Sequence, residues 1–146
     1  MRELLTKIWF ELFKLIEPDK FDNVGNNKSD KNKIILMLTY IYEHYYENIS
    51  IKDIAKAAYL SERECYRLFK NKLKSTPSTE IKNYRLQQAC RMLAATSDSI
   101  TEIRCCCGFN SPSYFSKIFY EALKCSPSEY RENGRNLTKN GIKITV

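Results

Sequence analysis

The sequence predicts an all-α fold in which two helix-turn-helix subdomains are joined by a long linker helix and preceded by an extra N-terminal amphipathic helix. Three observations support this prediction. Apolar residues recur at helical spacing along most of the chain. Glycine and proline, four of each, are scarce and well separated, which disfavours a turn-rich β fold. One stretch of sequence also repeats at an offset of 50 residues, with the two copies aligned at Phe69 and Phe119.

Two helices are predicted before the repeat begins. Residues 2–16 form an amphipathic helix that ends before Pro18. Residues 22–29 include three Asn and one Gly, which indicates a linker. Residues 30–47 form the second helix, and their spacing predicts that five apolar side chains are buried: Ile34, Ile35, Leu38, Ile41 and Tyr42.

Each copy of the repeat is predicted to contain a short helix, a turn and a longer helix. In the first copy, where Ser50 caps the short helix, these are residues 51–58, 59–61 and 62–73. In the second copy they are residues 100–107, 108–110 and 112–123, with Asn110 or Ser111 as the cap of the longer helix. Residues 77–95 lie between the copies and predict a single linker helix about 28 Å long.

Each longer helix has one apolar and one polar face. The apolar faces are predicted to join the core through Cys65, Leu68, Phe69 and Leu73 in the first copy and through Phe115, Ile118, Phe119 and Ala122 in the second. The polar faces remain accessible to a partner. They contain Glu62, Arg63, Tyr66, Arg67 and Lys70 in the first copy and Pro112, Ser113, Ser116 and Lys117 in the second.

The net charge of +7 is concentrated in one segment of the chain. Residues 51–95 contain ten basic and four acidic residues, whereas the second copy is close to neutral. A basic block in a helical region is the electrostatic footprint of a surface that contacts phosphates. Arginine suits bidentate contact with guanine. The candidate phosphate contacts are Lys70, Lys72 and Lys74, together with Asn110 and Ser111 at a helix N-terminus.

Two segments in and after the second copy resemble the sequence signature of a known family. Residues 108–119, Gly-Phe-Asn-Ser-Pro-Ser-Tyr-Phe-Ser-Lys-Ile-Phe, and residues 127–131, Pro-Ser-Glu-Tyr-Arg, resemble the C-terminal signature of AraC/XylS-family transcription regulators. The resemblance extends over about residues 34–132. It implies a seven-helix bilobal DNA-binding domain whose two recognition helices enter successive major-groove segments. Carried over by position, the base-reading candidates are Arg63, Tyr66, Arg67, Pro112, Ser113, Ser116 and Lys117.

Four residues depart from the family pattern. Arg104 stands where the family usually has a small alanine that allows the two helices of the second unit to approach. Tyr59, Lys74 and Lys124 stand at turn positions often held by glycine, where a left-handed residue costs about 1 kcal/mol or more. We therefore expect less regular packing in the second unit. Its near-neutral charge predicts that it binds DNA more weakly than the first unit.

The sequence predicts three segments and a set of partners. Residues 1–29 form the N-terminal helix and linker, interpreted as the remnant of a sensor or dimerisation domain. Residues 30–132 form the DNA-binding domain, and residues 133–146 form a C-terminal tail, either a strand or loose chain. The expected partner is double-stranded DNA, with RNA polymerase as a further candidate and no membrane span in a cytoplasmic chain. The stripe Leu5, Trp9, Leu12 and Ile16 favours a homodimer through residues 2–16 as much as packing within one chain.

Two alternatives to a simple DNA-binding regulator remain open. Cys105, Cys106 and Cys107 suggest a redox-responsive or metal-responsive regulator, although small buried apolar residues are the favoured interpretation of these cysteines. The other alternative is a protein-interaction module that has lost DNA binding, which the basic block disfavours. An enzyme is not predicted, because the only histidine, His44, lies among apolar and aromatic residues and no phosphate loop, catalytic triad, cofactor motif or metal-binding pair is present.

Overall fold

The structure is a computed structural model that describes residues 27–139 of the chain, with the side chains of residues 29–134. The predicted helix at residues 2–16 and its dimer stripe therefore lie outside the described residues, as do residues 140–146. Within this range the chain is all-helical. The α-helices are α1 (Asn27–His44), α2 (Ile51–Ala57), α3 (Glu62–Leu68), α4 (Pro77–Ala95), α5 (Ile100–Cys106), α6 (Pro112–Leu123) and α7 (Pro127–Lys139).

The predicted helices are confirmed, with differences at both ends of the described chain. Helix α1 begins and ends three residues earlier than the predicted span of 30–47. Residues 45–48 lie outside the helix, and the Arg85 side chain donates hydrogen bonds to the carbonyl oxygens of Tyr45 and Glu47. Helix α7 continues to Lys139, past the predicted start of the tail at residue 133. None of the described helices has the length and apolar character needed to cross a membrane.

The described residues divide into two compact units, which are described separately. The first contains residues 27–44 and 49–81. Its core confirms the predicted burial of Cys65, Leu68 and Phe69, whereas Ile35 and Tyr42, predicted to be buried, are only half-buried. The full set of buried residues also includes Met37, which periodicity did not predict. It consists of Ile34, Met37, Leu38, Ile41, Ile54, Ala55, Ala58, Cys65, Leu68, Phe69 and Ile81.

The second unit contains residues 45–48 and, among the described residues, the segment 82–139. Phe115, Ile118 and Phe119 are buried as predicted, but the prediction for Ala122 was wrong because this residue is exposed. Since α6 ends at Leu123, its last turn extends past the core. The buried residues of this unit are Leu86, Ala89, Cys90, Leu93, Ile103, Cys107, Phe109, Phe115, Ile118 and Phe119.

Serine side chains fix where the short helices begin. Ser50 caps α2, as predicted, and Ser61 and Ser99 cap α3 and α5. Each serine oxygen accepts a hydrogen bond from the backbone N–H three residues later, and an acidic side chain at that position binds back to the serine N–H. These capping boxes satisfy N–H groups that have no partner within the helix.

The two longer helices end differently. In the first unit, residues Phe69–Leu73 form a π-helical turn after α3, whereas α6 remains α-helical to Leu123. Both are followed by a left-handed lysine, Lys74 with φ of 53° and Lys124 with φ of 57°. Leu73 packs against the core of the first unit, but Leu123 is exposed. The π turn therefore accompanies an additional apolar contact that the second unit lacks.

Candidate nucleic-acid interface

The first candidate surface is the outward face of α3 and the π turn. Cys65, Leu68 and Phe69 fix the opposite face, since each is completely buried. The other six residues from Glu62 to Lys70 are exposed. These are Glu62, Arg63, Glu64, Tyr66, Arg67 and Lys70.

The second candidate surface is the outward face of α6. Ser111 caps this helix by accepting a hydrogen bond from the backbone N–H of Tyr114, at 3.2 Å, and Pro112 occupies the first turn. Phe115, Ile118 and Phe119 face the core. The other nine side chains of the helix are exposed: Pro112, Ser113, Tyr114, Ser116, Lys117, Tyr120, Glu121, Ala122 and Leu123.

The two surfaces have the same framework and different chemistry. Residues 61–70 and 111–120 show the same order of exposed and buried positions, which confirms the 50-residue repeat in three dimensions. Arg63 in the first unit corresponds to Ser113 in the second, and Arg67 corresponds to Lys117. The first surface therefore has more charged side chains of both signs, with three cations, Arg63, Arg67 and Lys70, beside two carboxylates, Glu62 and Glu64.

Arg63 and Arg67 are separated by four residues, which places them on the same side of a helix. Both are exposed, and neither forms a hydrogen bond or ion pair with another residue of the described part. Glu64, in contrast, is held by the capping box of Ser61. The two guanidinium groups can therefore approach an external acceptor without first breaking an internal contact.

The candidate phosphate contacts differ in accessibility. Lys70 and Lys74 are exposed, whereas Lys72 is half-buried and takes part in an interaction within the chain. Asn110 is exposed but does not cap α6, because Ser111 performs that role. Of the two residues predicted as alternative caps, Ser111 is therefore the correct one.

Arg85 binds two backbone carbonyls of the segment 45–48, which belongs to the second unit. Its Nε donates to the oxygen of Tyr45 at 2.7 Å, and its terminal nitrogen donates to the oxygen of Glu47 at 2.8 Å. Gly108 lies directly against this arrangement, since a Cβ atom there would be 2.7 Å from the Tyr45 oxygen. The turn before α6 therefore requires glycine for space as well as for its φ of 82°.

The comparisons with known proteins agree with this architecture. A family model described as a helix-turn-helix domain matches residues 54–133, more than half of the chain. The AraC-type DNA-binding domain protein of Chromobacterium violaceum has a similar structure, with a TM-score of 0.69 and 31% identity, over 74% of this chain and 96% of that one. This chain belongs to the AraC/XylS family.

One further solved structure and one related sequence are also similar to this chain. The DNA-binding domain of AdpA, solved with a target DNA, has a TM-score of 0.64 and 30% identity, over 73% of this chain and 93% of that one. The HTH-type transcriptional regulator YdeC of Bacillus subtilis is 37% identical over 128 residues, which are 88% of this chain and 43% of YdeC. The chain thus spans less than half the length of this AraC/XylS relative.

The four residues that depart from the AraC/XylS pattern differ in how the structure accommodates them. Tyr59, Lys74 and Lys124 all adopt the left-handed conformation, with Tyr59 at a φ of 58°. Arg104 is accommodated, because its half-buried side chain donates a hydrogen bond to the carbonyl oxygen of Phe109 within the same turn. Arg104 therefore has a hydrogen-bond partner in the turn that follows its own helix.

The three adjacent cysteines have different environments. Cys107 is buried with its sulfur 3.8 Å from that of Met92, and burial raises the pKa of its thiol to about 12. Cys105 and Cys106 are exposed, so their interpretation as small buried residues was wrong. Since neighbouring helical positions point about 100° apart, three adjacent side chains cannot all face the core. The described residues contain no group of three or more His, Cys, Asp or Glu side chains arranged to hold a metal ion.

Two residues of this region, Tyr120 and Arg85, were not predicted from the sequence. Tyr120 is exposed on the same face of α6 as Lys117, and it corresponds to Lys70 of the first unit. Extending the 50-residue repeat by one more position would have identified it. Arg85 gave no comparable signal, because its two carbonyl partners lie 40 and 38 residues away in the sequence.

Proposed function

We propose that this chain binds double-stranded DNA in a sequence-specific manner and regulates transcription, with α3 and α6 as major-groove recognition helices. The observation that carries this proposal is the pair of exposed helix faces that share one framework of buried residues. Recognition helices of helix-turn-helix units present side chains to base edges in this way. The family membership of the chain, and the solved complex of AdpA with a target DNA, support the same partner.

Roles are proposed for individual residues on the two faces. In the first unit, Arg63, Tyr66 and Arg67 read base edges. In the second unit, the readers are Pro112, Ser113, Ser116 and Lys117. The phosphate contacts come from Lys70, Lys72 and Lys74 and from the N-terminal end of α6 at Asn110 and Ser111. Lys70 and Lys74 are favoured among the lysines because both are exposed.

The length of α4 leads to an expectation about the DNA site. This helix contains 19 residues, or about 28 Å at 1.5 Å per residue. Helix-turn-helix units that read one side of a duplex bind segments about 34 Å apart. The bound sequence is therefore expected to contain two short elements separated by about one helical turn.

Selection of bound sites from random double-stranded DNA tests the proposal. The wild-type chain should recover a two-element motif, and Arg63→Glu with Arg67→Glu should lose specific binding because two readers become repulsive. Lys31→Glu is the control, since Lys31 is an exposed residue of α1 outside both helix-turn-helix units. Recovery of no motif would refute the proposal and favour a protein-interaction module. An unchanged motif in the double variant would refute these two residues as readers.

We propose a thiol-responsive regulator as a second candidate, because Cys105 and Cys106 are exposed on α5 of the second unit. Oxidation or alkylation there would add a new group to the surface of the second unit. DNA affinity measured before and after mild oxidation tests this candidate, with Cys105→Ser and Cys106→Ser as the matched resistant variant. Equal affinity in all four measurements would exclude it.

Dimerisation through residues 2–16 remains a prediction, which a monomer mass independent of concentration would contradict.

A further inference from the structure

The outward faces of α3 and α6 differ in the bases that they suit. Resting on the proposed function, we infer that the two DNA elements differ in base chemistry. The element contacted by α3 contains guanine that is read through its N7 and O6 acceptors. The element contacted by α6 contains thymine that is read through its 5-methyl group.

The first half of this inference depends on Arg63 and Arg67. Both guanidinium groups are exposed on one side of α3 and have no partner among the described residues. A guanidinium fork matches the N7 and O6 acceptors of guanine in the major groove. Glu62 is exposed beside Arg63 and can accept a hydrogen bond from the amino group of cytosine. Three neighbouring side chains therefore favour G·C pairs.

The second half depends on the residues that occupy the same positions in α6. Pro112 replaces Glu62 and presents an exposed apolar ring, and Ser113 replaces Arg63 and presents a short side chain. Neither can make a bidentate contact with guanine. Apolar side-chain atoms recognise thymine by packing on its methyl group. Lys117 is the single cation of the central α6 face, and its compact charge equally suits a phosphate.

Base analogues in the selected duplex separate these contacts. Replacing guanine with 7-deazaguanine removes the N7 acceptor and preserves base pairing. Replacing thymine with uracil removes only the methyl group. Each replacement is made in one element at a time, and affinity is measured at fixed salt. The element contacted by α3 is assigned as the one whose base preferences relax in Arg67→Gln.

The expected results differ between the four duplexes. With 7-deazaguanine in the α3 element, affinity should fall about tenfold or more, the effect of losing one hydrogen bond from a charged guanidinium group. With uracil in the α6 element, it should fall about threefold to fivefold, the effect of one buried methyl group. The two exchanged duplexes should show smaller changes. Uracil in the α3 element should change affinity less than about twofold. 7-Deazaguanine in the α6 element should reduce affinity less than it does in the α3 element, because Lys117 is the one cation of the central α6 face that can bind guanine.

Protein variants provide a matched check. Arg63→Gln with Arg67→Gln should lose sensitivity to 7-deazaguanine but keep sensitivity to uracil, and Pro112→Ser, which replaces the apolar ring with a polar side chain, should show the reverse. Wild-type protein is used for all four duplexes, so a variant is needed only to assign the α3 element, and Arg63→Gln provides that assignment if Arg67→Gln fails to fold. Equal effects in the two elements, or an α3 element without guanine, would overturn the inference alone. Failure to recover any motif would instead overturn the proposed function and the inference with it.

Discussion

Tyr59 and Gly108 each directly follow the residue that caps the end of the short helix in their unit, Ala58 and Cys107 respectively. Both are left-handed. Their surroundings are opposite. The Tyr59 side chain is 92% exposed, whereas even a methyl group at Gly108 would collide with the carbonyl oxygen of Tyr45. The same backbone conformation therefore tolerates a large side chain in one unit and excludes any side chain in the other.

Gly108→Ala is expected to destabilise the chain by about 2 kcal/mol. The substitution adds a left-handed residue with a Cβ atom, and it also forces the Tyr45 backbone or the Arg85 contact to move. Unfolding in urea, followed by circular dichroism, would measure the change. Tyr59→Gly is the matched control and should change stability by no more than about 1 kcal/mol, in the stabilising direction, because it relieves strain without removing buried surface. A Gly108→Ala chain as stable as the wild type would contradict this account.

The cysteines differ enough in environment to predict an order of reactivity. Cys105 and Cys106 are exposed, whereas burial raises the pKa of Cys107 to about 12 and that of Cys65 to about 11. Because the thiolate is the reactive form, buried thiols of raised pKa react slowly. Iodoacetamide at pH 8 should therefore modify Cys105 and Cys106 first, as peptide mass spectrometry would show. Labelling of Cys107 at the same rate would contradict the structure.

Individual side chains were the least predictable part of the molecule. Periodicity placed Cys65 and Phe119 correctly, because both lie in the middle of an apolar stripe. It failed for Ala122, where the stripe continues beyond the end of the core. It also gave no information on Arg85, whose role depends on carbonyl groups brought close only by folding.

The sequence predicted the secondary-structure elements better than it predicted individual side chains. The linker helix α4 spans Pro77–Ala95, the predicted range, because Pro77 suits the first turn of a helix. The short helices begin after serine caps that are visible in the sequence. The π turn at Phe69–Leu73 could not be predicted, since its counterpart after Phe119 is α-helical at the same spacing. Its formation accompanies the packing of Leu73, which is a tertiary contact.

The capping boxes predict how helix stability changes with pH. Hydrogen bonds from Ser99 hold the pKa of Glu102 below its ordinary value of 4.5. A carboxyl group whose pKa is lower in the folded chain stabilises the fold above its ordinary pKa, and this contribution is lost as the pH falls through the lowered value. Glu102→Ala should therefore reduce the free energy of unfolding at pH 7, and the difference from wild type should shrink below pH 4.5.

Glu121→Ala is the control for this prediction, because Glu121 is an exposed acid that caps none of the described helices. Urea unfolding at several pH values between 7 and 3 would measure both variants. The same dependence is expected for Glu129, whose pKa is lowered by hydrogen bonds from Ser126. A Glu102→Ala difference that stays constant with pH would show that the capping box does not stabilise α5 through its charge.

At the scale of the whole molecule, the repeat builds two units with separate cores. The framework is duplicated, but the charge is not. Arg63, Arg67 and Lys70 of the first unit correspond to Ser113, Lys117 and Tyr120 of the second. Under the proposed function, the first unit should contribute most of the phosphate attraction, and its contribution should therefore weaken most with salt.

The dependence of DNA affinity on salt tests this division of charge. Each phosphate neutralised by a lysine contributes about 0.9 to the slope of log affinity against log salt, because a condensed counterion is released. Lys70→Gln should therefore reduce the slope by about one while the selected sequence stays the same, since a phosphate contact carries no base information. Lys31→Gln should leave the slope unchanged, because Lys31 is exposed on α1 and lies outside the basic block of residues 51–95. An equal change in both variants would mean that the net charge of +7 acts through the whole surface and that the first unit has no special role in phosphate attraction.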